Sequence, residues 1–259
     1  MPKKLLSPFD HLQDILASRN RTHSGKFQAV PAGTELVKDI VASSCAAVAE
    51  AFVADGFRWA KSGLRFSRKV GPFTHIVSFR ADGANTSGHY VAVTMYAQVK
   101  SSALKKWRMA NNGATDSDNV WIRQVGYLSA AHDYFKWQLH DPASRADEIN
   151  HMITTVRTIV LPAFEVCSSM QSLSDHMLER SELTGTPHWS IDIALWLGNK
   201  QAAEKLLGIY LQQRPDLLPL FQAEYEQRPR LAPLIDVPAH ILSFLRLCIK
   251  ASLQLPALA

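Results

Sequence analysis

The feature that most constrains the fold of this 259-residue chain is a change in the spacing of its apolar residues. Upstream of Gly56 they recur at intervals of three and four, as on one face of an amphipathic helix. This spacing is carried by Leu36, Val37, Ile40, Val41, Ala47, Val48 and Phe52. From Leu64 the interval becomes two, which is typical of strands with one buried face. The pattern predicts a helix that begins at an N-cap Thr34 and ends at Gly56, followed by a sheet.

The alternating segments predict a sheet of about five strands. They cover residues 64–70, 73–80, 89–98, 120–128 and 134–139. Turn residues at Gly71-Pro72 and at Asp82-Gly83-Ala84-Asn85 join neighbouring segments by short connections. Short connections favour antiparallel pairing, because a parallel crossover needs a dozen or more residues. Residues 101–109 are predicted to form a short helical excursion between two of the strands.

Helical spacing returns in the second half of the chain. A long helix is predicted from about Ser144, and Pro162 should kink it because proline lacks an amide donor. Thr184-Gly185-Thr186-Pro187 marks an internal boundary, beyond which every pattern is helical. The last helix, with a cap at Asp236, is apolar nearly all round and must dock on this chain or on another.

These patterns together predict an α+β fold. It comprises an antiparallel sheet of about five strands with helices packed on one face, plus a C-terminal all-helical appendage. The predicted organisation is an N-terminal extension at 1–34, an α+β core domain at 35–182 and a C-terminal helical region at 183–259.

The net charge of +5 is unevenly distributed along the chain. Residues 1–100 carry 13 Lys and Arg against 7 Asp and Glu, whereas residues 143–259 carry 10 against 12. Such an asymmetry suits an acidic partner surface or nucleic acid. A basic sheet face that is simply solvated would give the same distribution.

The cysteines indicate a reducing compartment. Cys45, Cys167 and Cys248 are far apart, odd in number and set among apolar residues, so they form neither a disulfide framework nor a metal motif. No segment approaches the roughly 20 apolar residues that cross a bilayer. We expect a cytoplasmic protein with no membrane partner.

The sequence contains no recognisable catalytic, metal or cofactor motif. It lacks phosphate-binding glycine loops, a nucleophile elbow and metalloprotease or kinase motifs. The nearest approach to a catalytic pairing is His132-Asp133 and His140-Asp141, but adjacent strand residues point to opposite faces. We therefore predict no catalytic residues, no metal and no cofactor.

A basic and aromatic group in the first half of the sheet is the candidate binding surface. Its members are Arg58, Trp59, Lys61, Arg65, Arg68, Lys69, Arg80, Tyr90 and Tyr96. Such a face can stack bases and neutralise phosphates, or it can anchor a protein interface. Because +5 is modest for a dedicated nucleic-acid binder, we favour a protein interface. The residues favoured for partner contact are Arg58, Arg65, Arg68, Arg80, Tyr90 and Tyr96.

Residues 36–179 resemble an uncharacterised bacterial family, domain of unknown function family 4304. The resemblance is carried by a leading helix that runs into Ala54-Asp55-Gly56-Phe57, by Leu64-Arg65-Phe66-Ser67-Arg68, by strands around 74–79 and 90–93, and by a late helix. Similar domains often occur near secreted polymorphic toxins, so the resemblance implies a cytoplasmic immunity role. The N-terminal extension, the 101–118 excursion and the C-terminal helices depart from the family pattern.

The leading hypothesis is a non-enzymatic cytoplasmic protein that binds and neutralises a cognate bacterial toxin with an acidic surface. The first alternative is a nucleic-acid-binding or regulatory protein that uses the same basic sheet face. The second is an enzyme whose site is assembled from residues distant in sequence.

Overall fold

The computed structural model describes residues 35–111, 116–179, 187–225 and 239–253. Residues 35–259 form one compact unit. Four of the sequence predictions lie outside the described residues: the extension at 1–34, the cap at Thr34, the boundary at 184–186 and the cap at Asp236.

The described residues confirm the predicted antiparallel sheet, with six strands. These are β1 (Arg58–Ala60), β2 (Arg65–Val70), β3 (Phe73–Ala81), β4 (Ala92–Lys100), β5 (Asn119–Gln124) and β6 (Trp137–Gln138). The first five are hydrogen-bonded in sequence order, and β6 pairs with the start of β4. The sequence missed β1, because three residues are too short for alternation to be recognised.

Helices form the rest of the described structure. In the first part they are α1 (Val37–Glu50), α2 (Ser102–Asn111), α3 (Arg145–Thr155), α4 (Leu161–Glu165) and α5 (Met170–Glu179). In the C-terminal part they are α6 (Pro187–Trp196), α7 (Lys200–Gln213), α8 (Leu218–Tyr225) and α9 (Ala239–Lys250). No helix in these described ranges is both long enough and apolar enough to span a membrane.

The hydrophobic core lies between the helices and one face of the sheet, which we call the covered face. Opposite residues of paired strands share a face, so the pairs Phe66 with Val77 and Phe79 with Met95 place these four side chains on it. All four are less than 5% exposed. Phe66 stacks on Phe52, just beyond the end of α1, with ring centroids 5.4 Å apart. Aromatic packing of this kind fixes α1 against the sheet.

The long helix predicted from Ser144 is interrupted close to Pro162, as expected. Between α3 and α4 the residues Val156–Val160 form a π-helical turn. Pro162 follows at the start of α4, where a missing amide donor costs least. The π-helical turn accommodates the missing amide donor of the proline without ending the helix. Val156, Val160 and Phe164 therefore all remain fully buried.

The C-terminal helices belong to the same hydrophobic core as the sheet. Trp196 of α6 packs edge-on against Phe73 of β3, with centroids 6.0 Å apart. Phe244 of α9 contacts Tyr210 and Phe221 at centroid distances of 5.6 and 6.1 Å. The sequence left open whether the last helix docks on its own chain, and the structure shows that it does.

A buried ion pair joins α2 to α6. The Nε atom of Arg108 lies 3.3 Å from Oδ2 of Asp192, and both side chains are fully buried. Nη1 of Arg108 also donates to the carbonyl oxygens of Ser117 and Asn119, each at 2.9 Å. This pair links the excursion between β4 and β5 to the C-terminal helices.

Several element boundaries differ from the sequence prediction. The strand predicted over 89–98 runs from Ala92 to Lys100, and the strand predicted over 134–139 is only Trp137–Gln138. Two further differences have a local cause. α1 ends at Glu50, and turns lead to Gly56, whose φ of +82° is favourable only for glycine. The strand predicted over 120–128 ends at Gln124, where Val125–Leu128 form a 3₁₀ turn. The Gln124 side chain caps that turn by accepting a hydrogen bond from the Gly126 amide at 2.8 Å. Local capping therefore overrides the apolar alternation.

Candidate functional site

The sheet face opposite the helices is the candidate site, and we call it the open face. None of its residues belongs to the hydrophobic cluster between the sheet and the helices, although Ile76, Thr94 and Gln124 are each at most 6% exposed. Its register brings together side chains from β1 to β5: Arg58, Arg65, Ser67, Lys69, Thr74, Ile76, Ser78, Arg80, Thr94, Tyr96, Gln98, Lys100, Asn119, Ile122 and Gln124.

Positive charge surrounds the open face. Arg58, Arg65, Lys69 and Arg80 are exposed, and none forms an ion pair with another described residue. Lys100 contacts Asp118 at 3.2 Å. Strands β1 to β5 contain no aspartate or glutamate, so the cations of the face have no carboxylate within the strands to neutralise them. Apart from Lys100, the described cations of this face have no carboxylate partner, so the face carries an excess of positive charge.

The centre of the open face is neutral. One row of paired residues across the strands consists of Ser67, Ile76, Gln98 and Ile122. Arg58 lies at the β1 end of this row. Ile76 is only 6% exposed, although it lies outside the core. The Gln98 amide donates to Asn119 Oδ1 at 2.5 Å, which fixes its orientation. A neutral, partly apolar centre with charges at the rim is the common anatomy of a protein interface.

Arg80 and Tyr96 form a cation–π contact on the open face. The guanidinium carbon of Arg80 lies 4.3 Å from the centre of the Tyr96 ring. Burial raises the pKa of the Tyr96 hydroxyl, and its interactions with the Tyr134 side chain raise it further. The Tyr96 ring is thus covered on one side by Arg80, and its hydroxyl end meets Tyr134.

Tyr134 belongs to a segment that borders the open face, residues 129–136, which we call the aromatic loop. Gln124 on the open face donates from Nε2 to the Phe135 carbonyl oxygen at 2.6 Å. A Cβ atom on Gly126 would overlap the Asp133 carbonyl oxygen, so only glycine allows the loop to approach this closely. The loop is held against the end of β5, and Tyr134 is left 50% exposed.

Arg68 does not lie with the other favoured residues. Its position opposite His75 places it on the covered face. Its guanidinium lies over the Phe57 ring at 4.8 Å, and its Nη1 donates to the Asp55 carbonyl oxygen at 3.3 Å. Glu165 is 3.7 Å away. These contacts bind Arg68 to the turn that follows α1 and to α4, so its immediate structural role is to hold this turn and α4 against the sheet.

His75 is the buried polar side chain next to Arg68. Its ring stacks on Phe164 at 4.6 Å, and its Nδ1 accepts a hydrogen bond from Arg68 Nε at 3.5 Å. Nε2 is then the protonated nitrogen, and it donates to the Cys167 carbonyl oxygen at 3.1 Å. Burial is the main cause that lowers the pKa of His75 below its usual value. A neutral imidazole with both nitrogens occupied is suited to structure rather than to proton transfer.

Tyr90 lies next to the turn between β3 and β4. Its hydroxyl donates to Asp82 Oδ2 at 3.2 Å, and Nζ of Lys136 lies 2.5 Å from the same oxygen. These bonds lower the pKa of Asp82, mainly because of Lys136. The structure therefore brings Arg58, Arg65, Arg80 and Tyr96 together on one face, whereas Tyr90 is engaged at its end.

The described residues show no grouping of histidine, cysteine or carboxylate side chains suited to a metal ion. Burial raises the pKa of Cys45 and of Cys167 to about 12, so neither thiol is an activated nucleophile. A hollow of about 340 Å³ lies beside α4 and α5 and is open to solvent. It is lined by Pro162, Glu165, Val166, Ser172, Asp175 and His176.

Comparison with protein-family models, with curated proteins and with solved structures finds no match to this chain. The resemblance to family 4304 stays a prediction.

Sequence reasoning missed the aromatic loop as part of the site. It placed Tyr134 in a strand, because residues 134–139 are rich in aromatic side chains. Only the short contacts of Gln124 and Gly126 with the loop reveal its position. The placement of Arg68 did have a signal, since it shares its alternation with Phe66 and Val70, two residues of the apolar set.

Proposed function

We propose that this chain is a non-enzymatic cytoplasmic protein that binds an acidic protein partner with its open face. In the cell it acts as an immunity protein and neutralises a cognate toxin by covering part of its surface. One observation carries the binding proposal: a face with a neutral centre and cations at its rim, built on strands that contain no carboxylate. The immunity role rests on the resemblance of residues 36–179 to family 4304.

The state of the aromatic side chains favours a protein partner over single-stranded nucleic acid. Base stacking needs free ring faces on the sheet. Tyr96 is the aromatic residue among the strand positions of the open face, and Arg80 already covers one side of its ring. Tyr90 is tied to Asp82 by its hydroxyl. The half-buried residues at the centre, Ser67, Gln98 and Ile122, offer hydroxyl, amide and aliphatic groups, which complement a protein surface.

A capture experiment with matched charge reversals tests the binding proposal. The full chain is used as bait in three forms: unchanged, with Arg58→Glu and Arg65→Glu, and with Lys38→Glu and Lys250→Glu. The two control lysines are exposed and lie on helices α1 and α9. We expect one acidic protein to bind the unchanged and control baits, to be lost from the Arg58/Arg65 bait, and to elute as salt is raised. Equal capture by all three baits, or nucleic acid as the sole common eluate, contradicts the proposal.

Growth measurements test the immunity role directly. The captured protein is expressed alone, with the unchanged chain and with the Arg58/Arg65 variant. We expect growth arrest in the first and third cases and normal growth in the second. If the captured protein does not impair growth when it is expressed alone, the immunity role is contradicted and the binding proposal is not.

A further inference from the structure

The strands of the open face are too small to form a stable protein interface by themselves. Four spacings between β1 and β5 give about 19 Å, and the distance along β3 from Thr74, which pairs with Lys69, to Arg80 is about 20 Å. The projected area is therefore roughly 400 Å². A stable complex usually involves roughly 20–30 residues on each partner, whereas the open face offers the 15 strand positions named above. A partner that binds here must also contact a neighbouring surface.

The aromatic loop is continuous with the open face on its β5 side. Gln124 reaches it from the strands through the Phe135 carbonyl oxygen, and Tyr96 reaches it through the Tyr134 side chain. Tyr134 interacts with Tyr96, whose ring Arg80 covers, and Tyr127 lies edge-on to Tyr134 with ring centroids 6.2 Å apart. Tyrosine and arginine clustered in this way are enriched among the residues that carry binding energy.

The loop is also fixed before any partner arrives. Ser129 Oγ donates to the Gly126 carbonyl oxygen at 2.6 Å, and Lys136 is paired with Asp82 at its other end. A loop that is already ordered loses little conformational entropy on binding. Its exposed side chain can then contribute most of its contact energy to the complex.

We infer that the aromatic loop forms the second half of the partner-binding surface, with Tyr134 as its anchor. The inference rests on the proposed function, because it extends the same surface. Its occupant is the acidic protein that the cations of the open face attract. The rim cations raise the association rate of that protein, and Tyr134 lowers its dissociation rate.

Photo-crosslinking in cells tests the inference and separates it from the proposed function. Three full-length variants carry the photoreactive residue p-benzoylphenylalanine: Lys69→p-benzoylphenylalanine on the open face, Tyr134→p-benzoylphenylalanine on the loop, and Val53→p-benzoylphenylalanine as control. Val53 is 54% exposed and lies beyond α1, on the helical side. We expect the same protein to crosslink to positions 69 and 134 and not to position 53.

Each other outcome has a defined meaning. A crosslink from position 69 without one from position 134 overturns the inference and leaves the proposed function standing. The absence of a crosslink from position 69, or an equal crosslink from position 53, overturns both.

Kinetics with the crosslinked protein, purified, measure the role of Tyr134. We expect Tyr134→Ala to raise the dissociation rate about 30-fold with little change in the association rate. Tyr134→Phe keeps the ring and should stay within about 3-fold of the unchanged chain. The Arg58/Arg65 reversal should instead lower the association rate and weaken its dependence on salt. A Tyr134→Ala dissociation rate equal to that of the unchanged chain overturns the anchor role.

Discussion

The two faces of this sheet are built from the same strands and differ in almost every physical respect. The covered face is aromatic and aliphatic and meets the helices, whereas the open face is neutral at its centre and cationic at its rim. Adjacent residues such as Arg65 and Phe66 lie on opposite sides, one exposed and one fully buried. The difference teaches that alternation along one strand separates the residues that stabilise the fold from those that are free to bind.

The sharpest test of this division compares two neighbouring residues. Phe66→Ala should lower the free energy of unfolding by about 4 kcal/mol, because it opens a cavity between the sheet and α1. Arg65→Ala should change it by less than about 0.5 kcal/mol, because its side chain is exposed. Urea denaturation followed by circular dichroism measures both. A loss at Arg65 as large as that at Phe66 would contradict the assignment of the two faces.

The buried ion pair behind the covered face should have the next largest effect. Asp192→Asn leaves the charge of Arg108 buried without its counter-ion, and we expect a loss of about 3 kcal/mol in unfolding free energy. The double variant Arg108→Met with Asp192→Leu should be less destabilised than the single one, since no charge remains to be buried. Urea denaturation of the three proteins tests the pair. Additive losses would show that the two residues do not interact.

Gly126 tests whether the loop beside the open face depends on one close contact. Gly126→Ala should cost about 2 kcal/mol, because the new methyl group meets the Asp133 backbone. Hydrogen exchange in residues 129–136 should rise at the same time. Gly83→Ala is the matched control, since a Cβ at that position meets no atom within 4 Å. Unchanged exchange in the loop of the Gly126 variant would show that other contacts hold it.

The smallest expected effect concerns His75, a buried polar residue on the covered face. Its pKa is lowered in the folded state, so below about pH 6.5 the unfolded chain binds a proton that the folded chain does not. Stability should therefore fall as the pH drops from 7.5 to 5.5. His75→Phe keeps the stacking on Phe164 but cannot titrate, so its unfolding free energy should depend less on pH over this range. If the unfolding free energies of the unchanged chain and of His75→Phe depend on pH in the same way, groups other than His75 cause the dependence.

Much of the fold could be predicted from the sequence, because it depends on local periodicity. The interval of two along β2 and β3 identified both strands to within a residue, and the same alternation placed Arg65 and Arg80 together. Pro162 predicted the irregular turn in the long helix by its missing amide hydrogen. These signals lie within a few residues of the features that they specify.

The rest depends on contacts between residues far apart in the chain. Nothing near Arg108 indicates that its counter-ion is Asp192, which lies 84 positions away. The sequence predicts a strand for residues 134–136 of the aromatic loop, and the packing of the loop becomes apparent only from the Asp133 carbonyl oxygen against Gly126. Arg68 was grouped with the binding residues by its charge, although its alternation with Phe66 already pointed to the opposite face.

The pairing of Arg108 with Asp192 also has a consequence for the order of events during synthesis. Ribosomes add roughly 5–20 residues per second, so the 84 positions between the two partners take about 4–17 s to translate. For that interval the strands β1 to β4 are present while the helices that complete the covered face are not. During that time the part of the aromatic sheet surface that α1 does not cover is exposed, so we expect the nascent chain to be a substrate for early chaperone contact.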